Sequence, residues 1–157
     1  MQVIEVLALE QFTGLFEKIA KILPLNRIHG YQIPVWRLEI DPDLVVLIYQ
    51  FDLAHEVPLF LLDNIFPHIE SVVALSTKEN FGEWKFPSGV DERLNDLSGK
   101  AAVVLAIADA ENSLFEYIVN NGLYLGKKGR MVFWNPVDRE SIKRVWKMVL
   151  SDLMIVP

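Results

Sequence analysis

The apolar positions of this chain change their spacing repeatedly, from the two-residue repeat of a strand to the three- and four-residue repeat of a helix. Residues 3–7 form a short apolar strand candidate. Phe12, Leu15, Phe16, Ile19, Ile22 and Leu23 then recur at helical spacing until Pro24 ends the run. Over residues 33–40, Trp36, Leu38 and Ile40 face one way while Arg37 and Glu39 face the other. Asp41-Pro42-Asp43 is turn chemistry and residues 44–51 resume as an apolar strand, so the pair predicts an antiparallel hairpin. Pro58 sits where a first helical turn tolerates it, and a helix over 59–64 follows until Pro67. A buried strand is expected over 71–76, a short helix over 90–97 and a second fully apolar strand over 101–108. A helix over 111–121 is then closed by Gly122 as C-terminal cap, and a strand follows over 130–134. Asn135-Pro136 opens a last helix, with Ile142, Val145, Trp146, Val149, Leu150 and Leu153 on one face.

The resulting order, β-α-β-β-α-β-α-β-α-β-α, predicts an α/β fold in three layers. Its core is a mostly parallel six-stranded sheet, covered on both faces, with one antiparallel edge hairpin. Residues 1–157 read as a single domain. The punctuated stretch 76–100, with Gly82, Pro87, Gly89 and Gly99, is an excursion from that domain and not a linker. In such sheets ligands sit beyond the carboxyl ends of the strands. Those ends carry Asp52, Ser76-Thr77, Asp109 and Asn135.

Composition narrows the classes of function. With 157 residues, 52% of them hydrophobic, the chain can supply a sizeable core. Fifteen basic against 21 acidic residues give a net charge of −6, which opposes attraction to nucleic acid or to an anionic membrane. The absence of cysteine removes disulfides, thiolate metal sites and thiol nucleophiles together. His29 and His68 are isolated and no His-x-x-x-His spacing occurs, so no metal site is expected. No apolar run approaches the roughly 20 residues of a spanning helix, and no basic segment precedes an apolar run at the start. The expectation is a cytoplasmic protein with no membrane insertion and no nucleic-acid partner.

The element order, with the hairpin as second and third strands, resembles that of the Ras-like small GTPases. Residues 51–56 (FDLAHE) resemble the family's Asp-x-x-Gly switch segment, in which the aspartate reaches magnesium through water; Asp52 takes that place. Asp109 falls where the family's guanine-reading aspartate closes an Asn-Lys-x-Asp motif. Residues 135–145 (NPVDRESIKRV) are similar to the start of the final helix in bacterial gliding-motility-type small GTPases. The departures concern the phosphate site. The family needs G-x-x-x-x-G-K-[ST] after its first strand, because backbone N–H groups cradle the phosphates, the lysine neutralises charge and the hydroxyl binds magnesium. Residues 7–18 here read LALEQFTGLFEK, with one glycine, and Glu10 points a negative charge toward the phosphate site. His55 replaces the switch glycine, and Ala106-Ile107-Ala108 stand in place of Asn-Lys-x. The resemblance therefore implies a degenerate, non-catalytic pseudo-GTPase that needs no cofactor and serves as a protein-interaction or scaffold module. Its implied partners are a roadblock- or longin-type domain, or a second copy of itself.

Two other readings stay open beside that one. A residual nucleotide binder would use Asp52 and Asp109. A nucleoside or NAD glycosyl-bond enzyme would use Glu116, because the 101–134 segment is faintly similar to nucleoside deoxyribosyltransferases and TIR-like NAD hydrolases, and a carboxylate can stabilise an oxocarbenium-like centre. For partner binding, Phe81, Trp84 and Phe86 lie in a loop where a large aromatic either folds back on the core or meets a partner. His55 and Glu56 belong to the same switch-side surface. Lys127-Lys128-Gly129-Arg130, the one dense basic cluster, reads as a solvated turn before a strand.

Overall fold

The structure, a computed structural model, describes residues 1–56, 58–108, 123 and 125–151. The chain order is β1 (Gln2–Glu10), α1 (Leu15–Ala20), β2 (Asn26–Ile28), β3 (Val35–Asp41), β4 (Leu44–Asp52), α2 (Leu59–Ile65), a 3-10 turn (Phe66–His68), β5 (Ser71–Thr77), α3 (Val90–Ser98), β6 (Ala102–Ala108), β7 (Arg130–Trp134) and α4 (Arg139–Ser151). The strands form one sheet in the order β2-β3-β4-β1-β5-β6-β7. β4, β1, β5, β6 and β7 run parallel, whereas β3 is antiparallel to β4 and to β2.

The central strands are the most apolar because both their faces are covered. Every residue of β6 is buried, as are all but the last of β5. Their odd and even positions serve different layers. Leu7, Leu9, Val72, Ala74, Val103, Leu105 and Ile107 pack with Leu62 and Ile65 of α2 and with Val90, Leu94 and Leu97 of α3. Ile4, Val6, Ala8, Val73, Leu75, Val104 and Ala106 pack with Leu15, Phe16 and Ile19 of α1 and with Ile142, Val145, Trp146 and Val149 of α4. The three-layer, mostly parallel architecture is thus the one that the apolar spacing predicts.

Three details differ from that expectation. The sheet has seven strands, because Asn26–Ile28 pairs with β3 (Asn26 opposite Arg37, Ile28 opposite Val35) and extends the antiparallel edge. β1 runs on to Glu10, so α1 starts only at Leu15 and Phe12 stays in the loop, 41% exposed. α4 starts at Arg139, since 135–138 form a turn in which the Asn135 side chain accepts the Val137 N–H at 3.0 Å. The expected helix over 111–121, its cap Gly122, and Leu153 lie outside the described residues. Among the described residues, no helix is long and apolar enough to cross a membrane.

Candidate functional site

Glu10 and Asp52 stand opposite each other at the carboxyl ends of the neighbouring strands β1 and β4. Glu10 is the last residue of β1 and points to the α1 side, where it is 1% exposed. Its Oε1 accepts the Phe16 N–H at the start of α1 at 2.8 Å, and its Oε2 accepts an N–H of the Gln50 amide at 2.9 Å. The Gln50 oxygen in turn accepts the Trp36 indole N–H at 3.0 Å. Gly14, at φ 96° just before α1, lets the loop turn tightly enough for its own amide also to serve Glu10. Burial pushes the Glu10 pKa up. The bonds from Gln50, Phe16 and Gly14 pull it down, and the nearby Asp52 charge adds to the rise.

Asp52 is held differently. Its Oδ2 accepts the Thr13 hydroxyl and its Oδ1 accepts the Ala54 N–H at 2.9 Å. The exposed His55 ring stands 3.6 Å from Oδ2. The strand ends are further tied by the Leu53 N–H, which donates to the Glu10 carbonyl at 2.9 Å. Glu56 is exposed beside His55.

Gln11 locks the third side of the site. It is 8% exposed. Its amide nitrogen donates to the carbonyls of Asn80 (2.9 Å) and Glu83, while its oxygen accepts the Ser76 hydroxyl at the end of β5. A cleft of about 370 Å³ opens above these residues, lined by Gln11, Phe12, Leu53, Ala54, Asn80, Glu83 and Lys85. The aromatic side chains of the 81–86 loop fold inward onto the core. Trp84 is 8% exposed, donates its indole N–H to the Phe81 carbonyl at 2.9 Å and stacks on Phe86 with centroids 6.1 Å apart. Phe81 and Phe86 are half-buried on the core of the α2/α3 face.

The structure brings together Glu10, Asp52 and His55, which sequence reasoning had singled out, with Gln11, Thr13 and Gln50, which it had not. Their signal was weak: single polar residues inside or just after an apolar strand, whose partners depend on strand register. Asp109 and Glu116 lie outside the described residues. Lys127 and Lys128 are exposed in the turn before β7. His29 and His68 are both exposed, and no cluster of three or more metal-ligating side chains occurs among the described residues.

Among solved structures, the chain is similar to the G domain of the FeoB iron transporter of T. maritima. The TM-score is 0.54 at 10% identity, and the alignment covers 98% of this chain and 100% of that one. At that identity the likeness shows the fold alone, and with the strand order it establishes a small-GTPase-like fold. No protein-family model matches the chain, and no curated protein matches it.

Proposed function

We propose that this chain is a non-catalytic GTPase-like module that binds a protein partner. The observation that carries this reading is the carboxylate of Glu10 on the Phe16 N–H. In the family resembled, the amides between first strand and first helix cradle phosphate. Here a side chain of the protein takes one of them, and its charge opposes a phosphate at the same place. The residues present therefore do not fit a nucleotide phosphate. With no γ-phosphate to order and release it, the stretch 52–56 serves as a fixed surface, held by the Thr13 and Ala54 bonds to Asp52. His55 and Glu56 face the partner, with the rims of Phe81 and Phe86 around the buried Trp84 beside them. A roadblock- or longin-type domain, or a second copy of the chain, is the class of partner that the resemblance favours.

One observation favours a second reading. The Thr13 hydroxyl and Asp52 meet directly, and in the family resembled a hydroxyl and this aspartate both serve magnesium. A residual nucleotide site on Asp52 and Asp109 would use that pair. Thermal-shift titrations with GTP, GDP, ATP and NAD, each with and without magnesium, separate the readings. A ligand at a hundredfold excess over Kd adds about 2.7 kcal/mol, or roughly 5–11 °C in a domain of this size. The interaction module predicts no shift with any of them. A magnesium-dependent shift with GTP or GDP, lost in Asp52→Ala, would replace it with the nucleotide reading. A shift with NAD alone would move Glu116 forward.

A further inference from the structure

The two helical layers of the sandwich carry opposite charge. Over residues 15–23 and 139–151, Lys18, Lys21, Arg139, Lys143, Arg144 and Lys147 are all exposed, against Glu17 and Glu140 alone, so the α1/α4 layer is basic. Over residues 59–65 and 90–98, Asp63, Asp91, Glu92 and Asp96 are exposed against a single arginine, Arg93, so the α2/α3 layer is acidic. Little of this charge is neutralised within either layer. Lys143 pairs with Glu140 at 3.4 Å and Asp63 with Arg93 at 2.7 Å. The other basic residues of the first layer, and Asp91, Glu92 and Asp96 of the second, make no ion pair among the described residues. We propose that the chain binds a second copy of itself head to tail, with the basic α1/α4 layer of one copy on the acidic α2/α3 layer of the next.

Charge complementarity names this occupant. At a net charge of −6, two copies repel in most orientations, whereas the approach that sets these two faces together is attractive. Basic on basic and acidic on acidic both repel, so a two-fold contact through either layer is opposed. The two layers lie on opposite sides of the sheet. The contact is therefore heterologous: a pair of copies still offers one basic and one acidic face, and assembly grows past the dimer. Both faces also have apolar surface to bury. Leu59 and Phe60 of α2 are 41% and 55% exposed, and Ile22 and Leu23 after α1 are only partly buried. The contact uses the outer helices and not the 52–56 stretch, so it does not rest on the function proposed above.

Sedimentation velocity at pH 7 tests this in 0.01 M and in 1 M salt, between which the screening length falls from about 30 Å to about 3 Å. One layer is reversed by Arg144→Glu with Lys147→Glu, the other by Glu92→Lys with Asp96→Lys, all at exposed positions. Lys18→Glu with Lys21→Glu replaces the first pair should that pair lower the thermal midpoint. In 0.01 M salt, wild type should exceed the 18.0 kDa monomer, with a mass that rises with concentration past the dimer, and in 1 M salt it should return to the monomer. Each reversed variant alone should stay monomeric. An equimolar mixture of the two should assemble again, because the reversed faces now match each other, and misfolded variants could not do so. A wild type that stays monomeric in 0.01 M salt would overturn the proposal. So would assembly that survives 1 M salt, that stops at the dimer or that neither reversal weakens, and so would a mixture that stays monomeric.

Discussion

Gln50 donates to Glu10 Oε2 at 2.9 Å while accepting the Trp36 indole N–H at 3.0 Å, so one amide joins β3, β4 and β1 behind the start of α1. Each oxygen of the Glu10 carboxylate thereby has a donor, Phe16 N–H on one and Gln50 on the other. Glu10→Ala leaves the buried Phe16 N–H and the half-buried Gln50 amide without this acceptor, which costs about 1–3 kcal/mol for the buried donor where no water replaces the carboxylate. Urea denaturation at pH 7 should show the midpoint falling accordingly. A loss below about 0.5 kcal/mol would mean that water restores the bonds.

The same carboxylate sets a pH dependence. Burial raises its native pKa above the ordinary 4.5, so the folded chain holds this proton more tightly than the unfolded chain does. The resulting stabilisation is complete below about pH 4.5 and fades as pH rises through the raised value. Glu10→Gln cannot titrate. Compared by urea denaturation from pH 4 to pH 7, wild type should therefore lose ground to Glu10→Gln as pH rises. Parallel curves would show that the Phe16, Gln50 and Gly14 bonds offset burial in full, and a gain of wild type with rising pH that they outweigh it.

Gln11 is the fastening of the aromatic loop. Its amide satisfies the Asn80 and Glu83 carbonyls and the Ser76 hydroxyl, across 65 to 72 residues of sequence. Gln11→Ala should cost about 1–3 kcal/mol, because the buried Ser76 hydroxyl and the part-buried Asn80 and Glu83 carbonyls lose their partner together. The loss should also be local. Amide exchange should quicken over residues 78–86 while β5 and β6 keep their protection. Uniform quickening across the sheet would assign Gln11 to global stability instead.

The parts of this fold that were legible in the sequence are those with burial on two faces. β5 and β6 read as continuous apolar runs because helices cover both sides of them. β2 could not be read that way. Asn26 and Arg27 are exposed, and the strand exists through its register with β3 and the Arg27 guanidinium over the Trp36 ring, 5.4 Å from its centroid. At the site, the conflict between Glu10 and a phosphate loop is visible from residue type alone. The Thr13–Asp52 and Gln11–Ser76 contacts are not, because parallel strand pairing decides which loop residues meet across 39 and 65 positions. Sequence favours Trp84 as a core residue over a partner anchor, and the Phe81 carbonyl and the Phe86 ring supply the partners that sequence cannot name.

Asp63 of α2 and Arg93 of α3 form a two-point ion pair, at 2.7 and 3.2 Å, and Arg93 also donates to the Gly89 carbonyl at 2.9 Å. The arginine holds the Asp63 carboxyl below its ordinary value of 3.8, and so adds stability above that pH that is lost as pH falls through the lowered value. Both groups face solvent, so the effect is small and screened by salt. Asp63→Asn should lower the thermal midpoint slightly at pH 7 in low salt. The difference should vanish in 1 M NaCl or near pH 2. A difference that survives both conditions would trace to packing in the groove between α2 and α3.

Gly126 leads into the turn before β7, at φ 74°, and the space its side chain would need is taken by backbone. A Cβ built there would lie 2.2 Å from the Ser98 carbonyl oxygen and 3.2 Å from its carbon. Two penalties therefore coincide in Gly126→Ala: left-handed backbone that L-residues avoid, and a clash with a carbonyl at the end of α3 that no rotamer can relieve. The usual gain of Gly→Ala, about 0.4–1 kcal/mol from a stiffer unfolded chain, is outweighed. Loss of more than about 1 kcal/mol is expected, read as a drop of several degrees in the thermal midpoint. Gly14→Ala is the control, because Gly14 shares the positive φ but has nothing within 4 Å of its Cβ site. It should cost only the backbone part, so the difference between the two variants measures the contact with Ser98. Equal losses would mean that the 125–129 turn shifts away from α3 freely, and that the turn, not the helix, sets the entry into β7.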